Sequence, residues 1–476
     1  MSVVWHKDAL AGALGAEVIG GGADVSGLSI DTRTLQRGDL FVALKDVRDG
    51  HEFVAQAFAA GAAAALVDRA HAPQLAGLGP LYVVEAVLPA LERLGRAARA
   101  RMNGRVMAVT GSVGKTSTKE MLRTIFAAQG PTHASVASYN NHWGVPLTLS
   151  RMPAETAFGI FEIGMNHSFE ILPLTGMVRP EVAIVTTVEP VHLAQFPGIE
   201  AIADAKGEIF AGLMPGGVAV INRDNPQFER LKAHAGASPA GRIVSFGAHD
   251  KADVRLLRVN CAADESTAEA DVLGRRVHYR LGTPGRHMVQ NSLAVIAAVR
   301  LLGADLDRAA ASMADVVPAD GRGRRLSLSV PGGTLTLLDE AYNANPSSMR
   351  AALAVLASLS VGPGGRRIAI LGDMLELGSA GPGLHAGLAE AVETHGVDLV
   401  FAAGPLMKNL VDALPKARVG GYAADSSALE PMVLGAIRSG DVVTVKGSNG
   451  SRMARIVAAL KARHPAVDAG AETMRG

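Results

Sequence analysis

The sequence has a single cysteine, Cys261, and almost no imbalance of charge, with 46 Lys and Arg against 45 Asp and Glu. One thiol excludes an intramolecular disulfide and suits a reducing compartment. The balanced charge gives no sign of a nucleic-acid or membrane-surface partner, and no stretch reaches the roughly 18 uninterrupted apolar residues of a membrane span. The N-terminus, interrupted by His6, Lys7 and Asp8, is a poor secretion signal. We therefore predict a cytoplasmic protein that binds no nucleic acid and is not inserted in a membrane. We also expect it to be monomeric.

The chain has 476 residues, of which 48% are hydrophobic. This length exceeds what a single hydrophobic core usually supports, so more than one domain is expected. Residues 1–102 mix short strand-like runs with alanine-rich, helical stretches such as 53–66. In 103–316, apolar strand runs alternate with helical segments, and the same rhythm restarts in 317–476 after a stretch rich in proline, glycine and arginine. This alternation predicts an α/β protein of three domains with a mostly parallel central sheet.

The segment "AVTGSVGKTST" joins a buried-strand run to a helix. Glycines let backbone N–H groups turn inward, the helix N-terminus supplies partial positive charge, and Lys115 can reach terminal phosphates. The loop is shorter than the common phosphate-loop pattern, which has a glycine where this chain has Val109. The alternative is an ordinary glycine-rich turn. We predict that nucleoside triphosphate is bound by Gly111, Ser112, Val113, Gly114, Lys115, Thr116 and Ser117, with the Thr116 hydroxyl on Mg²⁺.

Three residues outside this loop are candidates for the chemistry. Glu162 and His192 each follow a strand-like run and could reach a second metal ion, although each taken alone is equally a solvated loop residue. Lys206 lies on the apolar face of a predicted helix, four residues from both Ile202 and Phe210. Either its ammonium extends to the rim of the helix, or it is desolvated and has a lowered pKa. A neutral amine can react with carbon dioxide to give a carbamate, and the pattern alone leaves both readings open.

A series of segments in fixed order resembles the Mur ligase family of bacterial cell-wall synthesis. They are "TGSVGKTSTK", "YNNHWGVPLTL", "EIGMNH", "TTVEPVHL", "DAKGEIF", "GRHMVQNSLAV", "LLDEAYNANPSSM", "LGDMLELG" and "VKGSNGSRM". The resemblance covers nearly the whole chain and implies an ADP-forming peptide ligase that uses ATP and Mg²⁺. It implies a UDP-substrate domain, a central ATP-binding domain and a C-terminal Rossmann-like domain that binds the incoming dipeptide.

Within the family, "AYNANPSSM" and "LGDMLELG" favour the activity that joins D-alanyl-D-alanine to a UDP-N-acetylmuramoyl-tripeptide through an acyl phosphate. The alternatives are a sister ligase or a folate polyglutamylating enzyme, each adding one amino acid. An alternative of another class is a regulatory nucleotide-binding protein. The sequence does not identify the third residue of the tripeptide.

The resemblance also implies roles for individual residues. Lys115 and Arg322 would act on the phosphates, and Glu162 with His192 would bind a second Mg²⁺ near a carbamate on Lys206. Asn291 would contact adenine, and Asp339 would close over the ribose with Arg322. The implied substrate contacts are Asp31, Thr32 and Arg33 for the UDP moiety, Asn140 and Asn141 for the sugar and peptide, and Asn343, Asn345, Lys446, Gly447 and Ser448 for the dipeptide.

Some positions depart from the family pattern. Met288 stands where an asparagine is common, so half of the expected adenine-side pair is missing. Phe169 replaces a frequent glycine, and Asn449 occupies the position after "KGS" where the family often has an arginine. Asn345 has a second, purely structural interpretation, as the N-cap of a helix that begins at Pro346.

Overall fold

Three separate sheets organise the chain in the computed structural model, which describes residues 3–136, 139–190, 195–262 and 264–467. Each sheet carries an apolar cluster on either face, which confirms the predicted α/β layering. The sheets fall within the three predicted blocks, and the boundaries at 102 and 316 stay predictions. In the described part of the chain, no helix is both long and apolar enough to cross a membrane.

The N-terminal sheet has the strands β1 Glu17–Ile19, β2 Gly27–Ser29, β3 Asp39–Val42, β4 Ala64–Asp68 and β5 Leu81–Val84. Its order is β1-β5-β4-β3-β2, with only β1 antiparallel to its neighbour. The helices are α1 Lys7–Leu14, α2 Val54–Ala59, α3 Ala72–Leu75 and α4 Val87–Arg101.

One prediction for this domain is wrong. The alanine-rich stretch 53–66 is helical only as far as Ala59. The chain turns at Gly61, whose φ of +100° favours glycine. Ala64 and Ala65 then enter β4, where they are fully buried between β3 and β5. Tertiary packing overrides the helix preference of alanine here, since a central parallel strand is covered on both faces.

The central sheet has the strands β6 Arg105–Thr110, β7 Thr132–Ala134, β8 Phe158–Glu162, β9 Val182–Val185, β10 Val218–Asn222, β11 Arg242–Gly247, β12 Val254–Cys261, β13 Ser266–Val272 and β14 Arg275–Leu281. Its order is β14-β13-β12-β11-β10-β9-β6-β8-β7. The strands from β7 to β12 pair in parallel, whereas the pairs β12–β13 and β13–β14 at the other edge are antiparallel. The helices are α5 Lys115–Ala127, α6 Gly144–Ser150, α7 Ile171–Val178, α8 Ile199–Gly207, α9 Phe228–Gly236, α10 Arg286–Leu301 and α11 Leu306–Ser312.

The C-terminal sheet has the strands β15 Arg324–Val330, β16 Gly333–Glu340, β17 Arg367–Gly372, β18 Leu399–Ala403, β19 Val419–Ala423 and β20 Val442–Lys446. Its order is β15-β16-β20-β17-β18-β19, with β15 antiparallel and the rest parallel. The helices are α12 Pro346–Ser358, α13 Gly381–Ala386, α14 Leu388–Thr394, α15 Met407–Ala413, α16 Ser426–Ala436 and α17 Ala454–Arg463.

The sheet order decides where chemistry can occur. In the central sheet, β6 lies between β9 and β8 and parallel to both, so the loops that follow these strands meet at one edge. In the C-terminal sheet, the parallel strands β16 and β20 end side by side at Glu340 and Lys446. In open α/β sheets, ligands bind beyond such carboxyl ends.

Candidate active site

The loop between β6 and α5 depends on two glycines. Gly111 has a φ of +149°, and a Cβ there would lie 1.9 Å from Thr186 Oγ1. Gly114 has a φ of +85°, and a Cβ there would lie 2.8 Å from Asn291 Oδ1. The Thr186 hydroxyl donates to the Val113 carbonyl at 2.6 Å. Glycine is therefore required at both positions, and the loop is fixed against its neighbours.

Lys115 lies over this loop. Its ammonium donates to the Gly111 carbonyl at 2.6 Å and more weakly to the Ser112 carbonyl at 3.4 Å. Burial lowers the pKa of Lys115; the charge of Glu162 opposes that effect, and the charge of Arg322 adds to it. Among the described residues, the Lys115 ammonium is bonded to carbonyl oxygens, which it can exchange for phosphate oxygens.

Glu162 is held at the end of β8 between the loop and a second segment. Its Oε2 accepts from the Thr116 hydroxyl at 2.8 Å, and its Oε1 accepts from Asn140 Nδ2 at 2.7 Å. Glu162 is buried, and its N–H donates to Ser135 Oγ at 3.3 Å. A hydroxyl and a carboxylate beside Lys115 are the hard oxygen ligands that Mg²⁺ prefers. His192 lies outside the described residues, so its predicted role as a metal ligand stays a prediction.

Lys206 is in α8, and only 2% of the residue is exposed. Burial, and after it the positive charge of Lys115, holds the pKa of Lys206 well below its ordinary value. Of the two interpretations left open by the pattern, the structure supports the desolvated amine and excludes an ammonium that extends to the rim.

On the C-terminal side, Arg322 is presented by a loop that Asp339 shapes. The Arg322 guanidinium stacks on the Tyr342 ring at 4.2 Å from its centroid. The Asp339 carboxylate accepts the N–H groups of Gly321 and Ala341 at 3.0 and 3.2 Å. Asp339 therefore supports the loop that carries Arg322, and its predicted contact with ribose stays a prediction.

Lys446 ends β20 inside the same region. Its ammonium donates to Glu340 Oε2 and to the Asn343 carbonyl, both at 3.0 Å. Asn345 caps α12 in a reciprocal arrangement with Ser348, and Pro346 is the first helical residue. This confirms the structural interpretation of Asn345 without excluding a substrate contact.

These elements line one cavity of about 850 Å³. Among the predicted residues, those that line it are Ser112, Val113, Gly114, Lys115, Thr116, Ser117, Asn140, Asn141, Glu162, Asn291, Arg322, Asn343, Asn345 and Lys446. Gly111, Lys206, Asp339, Gly447 and Ser448 lie outside its lining. Of the departures from the family pattern, Met288 and Phe169 line the cavity too.

Sequence reasoning missed several lining residues, namely His142, His167, His287, Glu340 and Tyr342. Glu340 had a usable signal, because it closes an apolar strand run at the edge where ligands bind. His142 and His167 lie in loops and His287 in the first turn of α10. All three fall within the quoted segments, but none has a periodicity that would distinguish it as a lining residue.

A second cavity of about 880 Å³ opens on the N-terminal domain. The predicted residues Asp31, Thr32 and Arg33 all line it. The Arg33 guanidinium donates to the Asp31 carboxylate at 2.6 Å, and these bonds lower the pKa of Asp31. His142 lines both cavities, so a long ligand can extend from one to the other.

A phosphate loop that faces an arginine and a lysine of another domain is the arrangement of a phosphoryl-transfer enzyme. Sequence models of three domains match the chain: the Mur ligase family catalytic domain at 24–104, the Mur ligase middle domain at 109–299 and the Mur ligase glutamate ligase domain at 324–449. The chain belongs to the Mur ligase family.

Two relatives that match more than nine-tenths of this chain have the same name. The UDP-N-acetylmuramoyl-tripeptide–D-alanyl-D-alanine ligase of Escherichia coli strain K12 is 35% identical over 451 residues, which cover 94% of this chain and 96% of that protein. The Bacillus subtilis protein of the same name is 32% identical, covering 91% and 92%. A crystal structure of MurF from Acinetobacter baumannii matches with a TM-score of 0.81 at 28% identity, covering 96% of this chain and 98% of that one.

Proposed function

We propose that this protein joins D-alanyl-D-alanine to a UDP-N-acetylmuramoyl-tripeptide in the cytoplasm, with conversion of ATP to ADP. The product is the UDP-muramyl-pentapeptide of peptidoglycan synthesis. The observation that carries the proposal is the pair of cavities that share His142. A nucleotide-linked peptide anchored at Arg33 can extend along the segment 139–143 and present its terminal carboxylate to the phosphate loop.

The first chemical step is transfer of the γ-phosphate of ATP to that carboxylate. Two like unit charges at 4 Å repel by about 4 kcal/mol at an effective dielectric of 20. The site must therefore offset several such repulsions between the carboxylate and the charged phosphate oxygens. Lys115 and Arg322 supply fixed positive charge from the two sides of the cavity. Thr116 and Glu162 would hold Mg²⁺, which supplies charge neutralisation and in-line alignment of the phosphates when bound.

Lys206 fits the predicted carbamate. A neutral amine is the reactive form toward carbon dioxide, and burial provides it. The N–C bond forms as the neutral amine attacks carbon dioxide and loses one proton to solvent, which converts a poorly solvated neutral amine near Lys115 into an anion. That anion would compensate Lys115 and support the metal site beside Glu162.

The second step is attack by the dipeptide amine on the acyl phosphate, which releases phosphate. Asn343, Asn345 and Lys446 face the cavity from the C-terminal domain and are the proposed contacts of the dipeptide. Because Glu340 already accepts from Lys446 at 3.0 Å, the Lys446 ammonium is partly neutralised. We assign it to positioning the Asn343 loop and the dipeptide carboxylate.

The central experiment is phosphate release from ATP by purified protein with both substrates, and with each omitted in turn. We expect release only when both are present, together with the pentapeptide product by mass spectrometry. Replacing the dipeptide with single amino acids separates this activity from the sister ligases. Turnover that is indifferent to both substrates would instead support a regulatory nucleotide-binding protein.

A pair of variants ties that activity to the site. Glu162→Gln keeps the shape of the side chain but removes the charge that would hold Mg²⁺, so we expect turnover to fall by at least 100-fold. Glu229→Gln, at a side chain that is 73% exposed, is the matched control and should leave turnover unchanged. Equal activity of the two variants would remove Glu162 from the mechanism.

A further inference from the structure

Phe169 is an exposed aromatic residue in the cavity that contains the phosphate loop. It follows the segment "MNHS" and stands where the family often has a glycine. The residue is 76% exposed, and it lines the cavity together with Lys115 and Glu162. The proposed transfer of phosphate does not use an aromatic ring, so the position of Phe169 needs another explanation.

The backbone of Phe169 is strained. Its φ is +69°, in the left-handed region that a bulky side chain disfavours and that glycine enters freely. Burial of the ring does not compensate for this strain, because the ring is exposed. Backbone outliers of this kind concentrate at sites that contact ligands. The unliganded protein thus has two unfavourable features at one residue, and a ligand that covers the ring would remove the second.

Hydrogen bonds hold the loop that carries Phe169. Glu208 Oε1 accepts the Phe169 N–H at 2.6 Å, and Glu208 Oε2 accepts the Leu172 N–H at 3.1 Å. At the start of the loop, Glu170 Oε2 accepts the Asn166 N–H at 2.7 Å. The ring is therefore presented on a backbone that is already ordered, which lowers the conformational cost of binding a ligand.

Apolar side chains accompany Phe169 in the lining of the cavity. Those contributed by the segment 165–174 are Met165, Phe169, Pro173 and Leu174. From the C-terminal domain, the small side chains of Ala351 and Ala352 in α12 line the same cavity. The helix α12 begins directly after Asn345, one of the proposed contacts of the dipeptide. The cavity thus offers apolar surface as well as polar groups to the incoming dipeptide.

We propose that Phe169 is a specificity-determining residue that covers the methyl groups of the incoming D-alanyl-D-alanine. This inference rests on the proposed ligase function. The other proposed contacts of the dipeptide, Asn343, Asn345 and Lys446, are polar or charged and suit its amide and carboxylate. They leave its two methyl groups without an apolar partner. The exposed ring of Phe169, on its anchored loop, supplies that partner.

The test compares the steady-state kinetics of Phe169→Gly and Phe169→Leu with those of the unaltered full-length protein. Phe169→Gly should raise the KM for D-alanyl-D-alanine by about 10-fold or more, the usual effect of losing one apolar contact of methyl size in a substrate pocket. The KM values for ATP and for the UDP-muramyl tripeptide should stay unchanged. Phe169→Leu keeps an apolar side chain on the same backbone, so its KM for the dipeptide should rise much less.

Glycylglycine distinguishes a contact with the methyl groups from a general disturbance of the loop. It has the amine, amide and carboxylate of the dipeptide but neither methyl group, and it is measured as a substrate or, where turnover is too slow, as a competitor. The preference for D-alanyl-D-alanine over glycylglycine should fall by about 10-fold in Phe169→Gly. Equal losses with both dipeptides would overturn the proposal.

Arg179→Gly is the matched control. Arg179 also has a positive φ, of +48°, is exposed and lies outside the lining of the cavity. Glycine takes these φ angles without strain, so neither glycine variant should lower the urea midpoint, and Arg179→Gly should keep the KM for the dipeptide. An unchanged KM in folded Phe169→Gly would overturn this inference alone, whereas unaltered protein without dipeptide-dependent turnover would overturn the proposed function and this inference together.

Discussion

Replacing Lys206 with methionine should make the protein more stable while removing its ligase turnover. In the folded chain the Lys206 pKa is well below the ordinary 10.5, whereas the unfolded chain has the ordinary value. Between the lowered pKa and 10.5 the unfolded state therefore binds one more proton, and stability rises with pH by about 1.4 kcal/mol per pH unit. Below the lowered pKa the full destabilising cost remains. Methionine is of similar length and carries no charge, so it removes this term.

The assay is urea unfolding followed by tryptophan fluorescence at several pH values between 7 and 9.5, in buffers depleted of carbon dioxide. We expect the advantage of Lys206→Met to shrink as the pH rises, with a slope difference approaching 1.4 kcal/mol per unit. Lys232→Met, at a side chain that is 50% exposed, is the control and should give a curve parallel to that of the unaltered protein. Parallel curves for Lys206→Met as well would show that the Lys206 ammonium stays solvated, which would refute the burial argument and the carbamate with it.

Three further predictions test other parts of the structure. Gly111→Ala should abolish ATP binding, measured by calorimetry, because the new Cβ would lie 1.9 Å from Thr186 Oγ1. The control is Gly216→Ala, where φ is +81° and a Cβ would have nothing within 4 Å. This variant should lose only about 1–2 kcal/mol of stability through backbone strain and should bind ATP normally. Asn345→Ala should lower the free energy of unfolding by about 1 kcal/mol, and Asn345→Ser should hardly change it. If both variants raise the KM for the dipeptide, the Asn345 amide contacts substrate. If neither variant does, Asn345 serves only as a helix cap. Burial lowers the pKa of His133 to about 4. The free energy of unfolding should therefore fall by about 1.4 kcal/mol per pH unit as the pH drops from 6.5 toward 4. In His133→Gln the urea midpoint should depend less on pH over this range, and an unchanged pH dependence would contradict the argument.

The sequence predicts best what is local. The phosphate loop depends on a strand, two glycines and a helix N-terminus that are adjacent in the chain, and Glu162 follows from the rule for the carboxyl ends of parallel strands. The contact between Lys446 and Glu340 spans 106 positions and depends on the register of β16 against β20, which no short pattern encodes. For Lys206, periodicity assigns a helix face but cannot tell its centre from its rim, and only the packing of α8 decides its burial.

Residues in a recognised motif need not contact the ligand that the motif implies. Ser448 accepts the Leu375 N–H at 3.0 Å, and its own N–H donates to the Asp373 carbonyl at 3.1 Å. The segments "VKGSNG" and "LGDMLELG" are thus partners of each other, and Asp373 in turn accepts the Met407 N–H at 2.8 Å. Asp339 acts in the same way on the loop of Arg322. Substituting such residues should therefore disturb the placement of Arg322 and Lys446 before it removes a substrate contact, so loss of activity alone does not identify a binding residue, and stability must be measured alongside it.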